Sequence, residues 1–555
     1  MRSVSVKKGI KEKSLIYVSV FLIASLIISV VFLAAVPPVS KDALTHHLVI
    51  PKLYLKHGGM YEIPHMVFSY YPMNLDLLYL IPLYFGNDIF PKFIHFCFAL
   101  LTAWVLFGYI KHRLSRVYAL YGVILFLSIP IIVKLSITVY VDLGLMFFST
   151  ASLILLFKWV ESSFRIKSFI FSAICCGLAM GTKYNGLIVF MLFSLFVPFV
   201  YSRYSENRKV RFHTAAGLGL AFFVIALLVF SPWLIRNYIW TDNPLYPLYD
   251  AWFNGQDPVS KKSLFVFNYR RLIYQESCWE MALLPLRIFF QGQDGNPQYF
   301  DGKLNPFLLF LPFLAFYRIK SDSNTVKTEK KILLSFVVLF FTFAFFSSGL
   351  RVRYISPIIP PLVILSIFGL KNLLDMVQNF SSAIHRKIGG VVIFLIIIFS
   401  LIPNARYVFS QYKYVRPLDY LNGTLTRDEY IEKFRREYPV MRYINENLPQ
   451  DARILFFYLG NRGYYCDRDY VFDMQKGIST LWEIVKKSNS PEEVLTELKN
   501  RRITHLLTRY DIFERWIKTD FEDRERHLID QFFKKYVKLI YFKWGYGVSR
   551  LENLN

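Results

Sequence analysis

Apolar runs of membrane length recur through the first three quarters of this chain and then stop. They occupy roughly residues 15–36, 91–110, 117–134, 139–157, 168–181, 186–201, 213–232, 305–318, 331–348, 354–370 and 388–404. Crossing the hydrocarbon core of a bilayer takes about 20 predominantly apolar residues, and most of the runs approach that length while two fall short. The pattern predicts a polytopic α-helical membrane protein with about eleven transmembrane helices. The first run follows Arg2, Lys7, Lys8, Lys11 and Lys13, as a signal peptide would. It is too long for that role, and "VPPVSKD" follows it rather than a small-residue cleavage site. It therefore reads as the first span.

Two interruptions are long. Residues 37–90 hold "KDALTHHLVIPKLYLKHGG" and "SYYPMNLDLLYLIPLYFGND", which have helical apolar spacing but too many polar groups and prolines to span. They are expected to form a loop with two helices lying on the membrane surface or on other helices. Residues 233–304 are polar and aromatic-rich, and within them 255–300 read only as a structured loop. After residue 405 the pattern changes to that of a soluble domain. "DEYIEKFRREYPVMRYINENLP" predicts an amphipathic helix, and "DARILFFYLG" and "ITHLLTRY" predict strands. "SPEEVLTELKNRR" opens with Ser490 as a helix N-cap and Pro491 behind it. This alternation predicts a small α/β domain. The expected organisation is a membrane domain, 1–404, carrying outer loops 37–90 and 233–304, and a soluble domain, 405–555.

Charge refines the picture. The formal net charge is +25, which in a soluble protein would raise nucleic-acid binding. Much of it lies in short loops between runs, including "KHRLSR", "KWVESSFRIK", "YSRYSENRKVRFH", "YRIKSDSNTVKTEKK" and "KNLLDMVQNFSSAIHRK". The intervening short loops carry one or two basic residues each. Such asymmetry marks the cytoplasmic side. It puts the N-terminus in the cytoplasm, and loops 37–90 and 233–304 and the C-terminal domain outside, in a plasma or inner membrane. Nucleic acid is not an expected partner. The hydrophobic fraction, 54%, also exceeds that of soluble domains, about 45–50%. Of the five cysteines, Cys97, Cys175 and Cys176 lie inside runs and read as small core residues. Cys278 and Cys466 share the outer compartment, and whether they pair stays open.

The polar groups worth weighing fall at the outer water–lipid boundary. Asp42 follows the first run, and Asp142 opens the fourth. Lys183 and Tyr184 sit in "GTKYNG", Arg236 in "PWLIRNYIWTDNPLYP", and Arg351 and Arg353 in "GLRVRYISPIIPP". Ionisable groups near membrane depth are costly unless paired or functional, so this convergence marks a candidate active site. Each residue has a plainer reading. Lys183, Arg236 and Arg351 could anchor helix ends in headgroups. Asp142 and Asp42 could cap the helices that follow them. His46 and His47 lack a third ligand at helical spacing, so no metal site is assigned.

The order of these segments resembles that of the GT-C membrane glycosyltransferases, in particular the protein mannosyltransferase and lipid A aminoarabinose transferase group (glycosyltransferase family 39-like). "DALTHHLVIPKLYLKHGG" resembles that group's first outer loop and "YYPMNLDLLYL" its second surface helix. "GTKYNG", "PWLIRNYIWTDNPLYP", "FDGKLNPFLLFLPF" and "RVRYISPIIPPL" resemble four further stations, over roughly residues 15–405. One departure is that Asp42 is followed by Ala43, where many members pair two acids. Metal dependence therefore stays open.

The resemblance implies transfer of a hexosyl or pentosyl group from a polyprenyl-phosphate donor to an acceptor hydroxyl, with inversion, on the outer face. The acceptor would be a lipid, a glycan or a protein. Asp42 would serve as general base, assisted by Asp142. Lys183, Arg236, Arg351 and Arg353 would hold the departing phosphate. Tyr70, Tyr71, Tyr184 and His46 would line the sugar site or the lipid access path. No nucleotide cofactor is implied, in keeping with the absence of a Gly-rich nucleotide loop. The competing readings are a lipid-linked glycan flippase, an O-antigen-ligase-like transferase, and a membrane scaffold. Transporters usually place ionisable groups at the midplane of two related halves, and no internal repeat is visible here.

Overall fold

The computed structural model describes residues 2–204, 211–255, 266–317, 322–347, 349–475 and 478–552. The basic loop segments 205–210 and 318–321, and 256–265 of the second outer loop, lie outside the described residues.

Every expected run is helical. The membrane part begins with α1 (Arg2–Ala34), α2 (Val49–His57), α3 (Asn74–Tyr84), α4 (Phe90–Arg113), α5 (Arg116–Ser128) and α6 (Pro130–Ser136). It continues with α7 (Asp142–Glu161), α8 (Ile166–Thr182), α9 (Gly186–Tyr204) and α10 (Arg211–Thr241). Four short helices follow in the second outer loop: α11 (Asp250–Asn254), α12 (Val266–Tyr274), α13 (Cys278–Ala282) and α14 (Leu284–Phe290). Then come α15 (Phe307–Leu314), α16 (Asn324–Ser347), α17 (Ile359–Gln378) and α18 (Ala383–Val415). Among the described residues seven helices are long and apolar enough to cross a membrane alone, or eight with α5 and α6 taken as one span bent by 66°. The bend falls at Ile129-Pro130. Proline removes a helical donor and forces its predecessor out of the helical region, and Ile129 has φ −54° and ψ 130°. α8 and α15 account for the two short runs.

Close packing among these helices rests on small residues, as expected where lipid offers no hydrophobic drive. A Cβ on Gly177 of α8 would stand 2.6 Å from the Ala226 carbonyl of α10, and Gly369 of α17 lies against the Leu311 carbonyl of α15.

Three boundaries differ from expectation. α10 continues through Pro232 to Thr241, eating into the second outer loop. α18 runs unbroken to Val415, so the membrane part ends near 416 rather than 404. The single amphipathic helix expected over 428–449 is two, α20 (Arg427–Phe434) and α21 (Tyr438–Asn447), after the short α19 (Pro417–Leu421). Pro439 restarts the helix at α21, where its missing N–H costs nothing. Cys97 is exposed on α4 rather than part of the core, and Cys278 and Cys466 are both free thiols.

The C-terminal part is the expected α/β domain. Its strands are β1 (Arg453–Phe457), β2 (Asp469–Phe472), β3 (Met474–Gln475), β4 (Ile478–Ser479), β5 (His505–Arg509), β6 (Val537–Lys543) and β7 (Tyr546–Leu551). Five form one sheet in the order β2-β1-β5-β7-β6, with β2, β1 and β5 parallel and β7 and β6 antiparallel. Alternation along β1 splits its side chains between two cores. Leu455 and Phe457 join a core with Leu481, Val494, Leu506 and Phe532. Ile454 and Phe456 face the other way, into a core continuous with that of the membrane helices. The soluble domain therefore sits on the membrane part through a shared apolar layer.

Candidate active site

The chain leaves α1 through Pro37-Pro38 and reaches Asp42 just before a π-helical turn, Ala43–His47. Asp42 makes no side-chain capping bond there. Its carboxylate instead accepts from Arg353 at 2.6 Å. Arg353 comes from a 3₁₀ turn, Val352–Ile358, that feeds α17, and its guanidinium lies 4.8 Å from the Tyr140 ring centroid. Burial, the largest single influence, raises the Asp42 carboxyl, but the Arg353 guanidinium together with His46 and His47 outweighs it and holds the group well below the usual carboxylate range.

A second pair stands beside the first. Asp142, the first residue of α7, is fully buried and its Oδ1 accepts from Lys183 Nζ at 2.6 Å. Lys183 ends α8 in extended conformation, which turns its side chain inward. The Asp142 Oδ2 is buried with no partner. Lys183 lies 4.8 Å from the Tyr354 ring centroid and Arg353 5.3 Å from it, so the two cations share one aromatic neighbour. The readings of Asp42 and Asp142 as helix caps, and of Lys183 as a headgroup anchor, do not hold. All three side chains are spent on ion pairs.

Arg236 occupies an adjoining site on the last turns of α10. Its guanidinium donates to the Tyr70 carbonyl at 2.5 Å, the Tyr71 carbonyl at 3.2 Å and the Asn237 side chain at 2.8 Å. Trp233 and Trp240 flank it, with centroids at 4.6 and 4.9 Å. Among the described residues no carboxylate pairs with it, and its Nη1 is buried without a partner. A buried cation with neither counter-charge nor full hydrogen bonding is suited to an anion. The Tyr184 hydroxyl donates to the Tyr246 carbonyl at 2.8 Å, and the Tyr184 ring lies 5.2 Å from that of Tyr71. Tyr70 contributes its carbonyl, since its hydroxyl is turned away to Glu62.

Sequence reasoning brought Asp42, Asp142, Lys183 and Arg353 to one place, and Tyr71, Tyr184 and Arg236 next to it. Arg351 is peripheral. It is about one-third exposed and stands 3.6 Å from Asp301, which Lys134 also holds at 3.0 Å. His46 stacks on Phe68 at 4.3 Å and bonds to Thr45. Among the described residues no three His, Cys, Asp or Glu side chains are disposed to hold a metal ion.

The reading missed a third acid. Asp76 of α3 is buried and bonds to His47 Nδ1 at 2.7 Å. Burial pushes Asp76 up to about 8 and His47 down to about 3, so near neutral pH the pair is uncharged and its proton resides on the carboxyl. Also missed were Tyr140 and His95, whose Nε2 accepts from the Leu143 amide at 3.0 Å. The available signal was Asp76 alone in "NLDLLYLIPLY", where an unpaired acid would be expensive.

Comparison with known proteins bears on the fold. Residues 75–235 match the family model described as dolichyl-phosphate-mannose-protein mannosyltransferase. No curated protein matches the sequence. Among solved structures, ArnT from Cupriavidus metallidurans bound to undecaprenyl phosphate is similar, with a TM-score of 0.55 at 15% identity, covering 96% of this chain and 97% of that one. The oligosaccharyltransferase of Archaeoglobus fulgidus in the apo form has a TM-score of 0.55 at 12% identity, covering 94% and 73%. The archaeal oligosaccharyltransferase AglB from Archaeoglobus fulgidus, in complex with an inhibitory peptide and a dolichol-phosphate, has a TM-score of 0.53 at 11% identity, covering 97% and 74%.

Proposed function

From the premise that this chain is a multi-pass membrane protein with the GT-C fold, we propose that it is a glycosyltransferase. It takes a sugar from a polyprenyl-phosphate donor and transfers it, with inversion, to an acceptor hydroxyl on the outer face of the membrane. The observation that carries this reading is the convergence of two acid–base ion pairs and an uncompensated buried arginine at one end of the helical bundle. The structures of similar fold bound to undecaprenyl phosphate and to a dolichol-phosphate support a lipid-phosphate donor.

The residues divide the work by charge. Arg236, with its spare Nη1 and flanking tryptophans, receives the donor phosphate, joined by Lys183 and Arg353 from the adjoining pairs. Fixed cations in a site of low dielectric stabilise the negative charge that grows on a leaving phosphate without reorganising. The acceptor oxygen attacks the anomeric carbon as the bond to the phosphate oxygen breaks, and polyprenyl phosphate departs with the electron pair. Asp42 takes the hydroxyl proton. A carboxylate held so acidic by Arg353 is a weak base, so proton transfer comes late, once the attacking oxygen carries positive charge. Asp142 holds Lys183 in place.

The acidic group that a metal would use, Asp42, is already neutralised by Arg353. We read the transfer as metal-independent on that account. The basic loops support a site that faces outward.

The test is turnover in nanodiscs with a panel of polyprenyl-phosphate sugars, scored by release of polyprenyl phosphate and by the anomeric configuration of the product. Consumption of one donor with inversion is expected. Retention of configuration, or no consumption of any donor with any acceptor extract, would overturn the reading.

A further inference from the structure

The segment that delivers Asp42 is held from outside itself. Its prolines at 37 and 38 have no N–H, and four successive backbone carbonyls, 36 to 39, accept from side chains. Lys92 of α4, itself buried, donates to the Val36 carbonyl at 2.7 Å and the Pro37 carbonyl at 3.4 Å. The next two carbonyls are taken by the soluble domain. Tyr465 donates to Pro38 at 2.7 Å, and Arg435 donates to Val39, three residues before Asp42.

Both donors are themselves fixed. Tyr465 packs edge-on against Tyr438 with ring centroids 5.0 Å apart. Arg435 lines a narrow cleft with Leu44, Glu437, Met441 and Tyr464, and Glu437 is paired to Arg462. Leu44 belongs to the π-helical turn that Asp42 opens, so the soluble domain touches both sides of the acid. Beyond the turn, α2 is secured to the same loop, with Lys52 donating to the Tyr464 carbonyl and to Asp467, both at 2.7 Å.

We propose that Arg435 and Tyr465 of the C-terminal domain are positioning residues for the reaction, setting the location of Asp42 by gripping the carbonyls of Val39 and Pro38. This rests on the assignment of Asp42 as the base. The physical ground is that a proline-rich segment has little backbone bonding of its own, so its register is set by whatever binds its carbonyls. The domain is thereby part of the catalytic apparatus.

The experiment measures transfer by the full chain in nanodiscs for Arg435→Ala, Tyr465→Phe, Arg435→Lys, Asp42→Asn and the double variant Arg435→Ala/Asp42→Asn. Lys535→Ala, on the far side of the domain, serves as control. A misplacement of about 1 Å costs up to about a hundredfold, so Arg435→Ala should lower kcat roughly 10–100-fold. Binding of polyprenyl phosphate should stay within about twofold of wild type, because that interaction is made by other residues. Arg435→Lys, which keeps a donor, should recover part of the rate. Adding Arg435→Ala to Asp42→Asn should cause no further loss, and hydrogen exchange over residues 39–44 should quicken in Arg435→Ala.

Wild-type kcat in both Arg435→Ala and Tyr465→Phe, with Asp42→Asn slowed at least about a hundredfold, would overturn this inference and leave the assignment of the base standing. So would a loss that multiplies on top of Asp42→Asn, which would mark a general structural role. Full activity in Asp42→Asn would overturn both.

Discussion

Replacing Arg353 with glutamine removes the charge that keeps Asp42 ionised and leaves a side chain of similar reach. The two groups are 2.6 Å apart, with only 10% and 18% of their side chains exposed. For charge centres about 4 Å apart at an effective dielectric near 20, the attraction is about 4 kcal/mol. At about 1.4 kcal/mol per tenfold, that is roughly a thousandfold in the acidity of the carboxyl. In the wild type the Asp42 carboxyl lies below the ordinary aspartate value, so it is ionised across the usable range, and what this adds to stability would be lost only as pH falls through that depressed value. In Arg353→Gln burial loses its main opponent, with only His46 and His47 left against it, and moves the carboxyl up from its depressed value past the ordinary value of about 3.9. The assay is kcat against pH at saturating donor. Wild type should show no acid limb down to about pH 5, whereas Arg353→Gln should lose rate below about pH 6. Arg353→Lys, which keeps the charge, should behave as wild type in this respect. An acid limb that does not move between wild type and Arg353→Gln would refute the claim that this pair governs the protonation of Asp42.

Further outcomes follow from other parts of the molecule. Arg236→Gln should weaken polyprenyl-phosphate binding by about 1.5–3 kcal/mol, the range for a hydrogen bond to a charged group, as read by direct titration. Chelation with EDTA should leave turnover unchanged, and restoration of a lost rate by a divalent cation would contradict the metal-free reading. Asp76 and His47 make stability fall as pH rises between about 6.5 and 8. The raised Asp76 carboxyl contributes stability that is lost up to about 8, while the depressed His47 opposes it only below its ordinary 6.5. Melting temperature should therefore drop over that window, and Asp76→Asn should abolish the drop. Far from the site, Glu329 accepts from Tyr109 at 2.8 Å and from Arg113 at 2.5 Å. Glu329→Gln should cost about 1–3 kcal/mol by weakening one bond to Arg113, which keeps its pair with Glu161 at 2.8 Å, with turnover of the folded fraction intact.

How legible the molecule was depended on the range of the forces involved. Each span is announced by its own apolar run, since every backbone group in lipid must be satisfied locally by a helix. The same holds for the α/β domain, where short apolar runs such as "RILFF" and "HLLTR" become β1 and β5. Failures came where a local pattern meets a tertiary constraint. The bend at Ile129-Pro130 and the break before Pro439 are written in proline, but the continuation of α18 beyond the bilayer depends on packing against the soluble domain. The site was half legible. Charges at run ends stood out because they are expensive there, which found Asp42, Asp142, Lys183, Arg236 and Arg353. Which acid pairs with which base is a matter of distances between segments far apart in sequence. The same applies to Asp76 with His47, and to the grip of Arg435 and Tyr465 on carbonyls 396 and 427 residues earlier.

The most direct test of the central claim is transfer of radiolabelled sugar from the preferred polyprenyl-phosphate donor by purified wild type and Asp42→Asn, side by side in native lipid extract. The account predicts label in a lipid, glycan or protein acceptor with wild type and at least about a hundredfold less with the variant, within the usual range for loss of a general base. Equal transfer by the two proteins would contradict it.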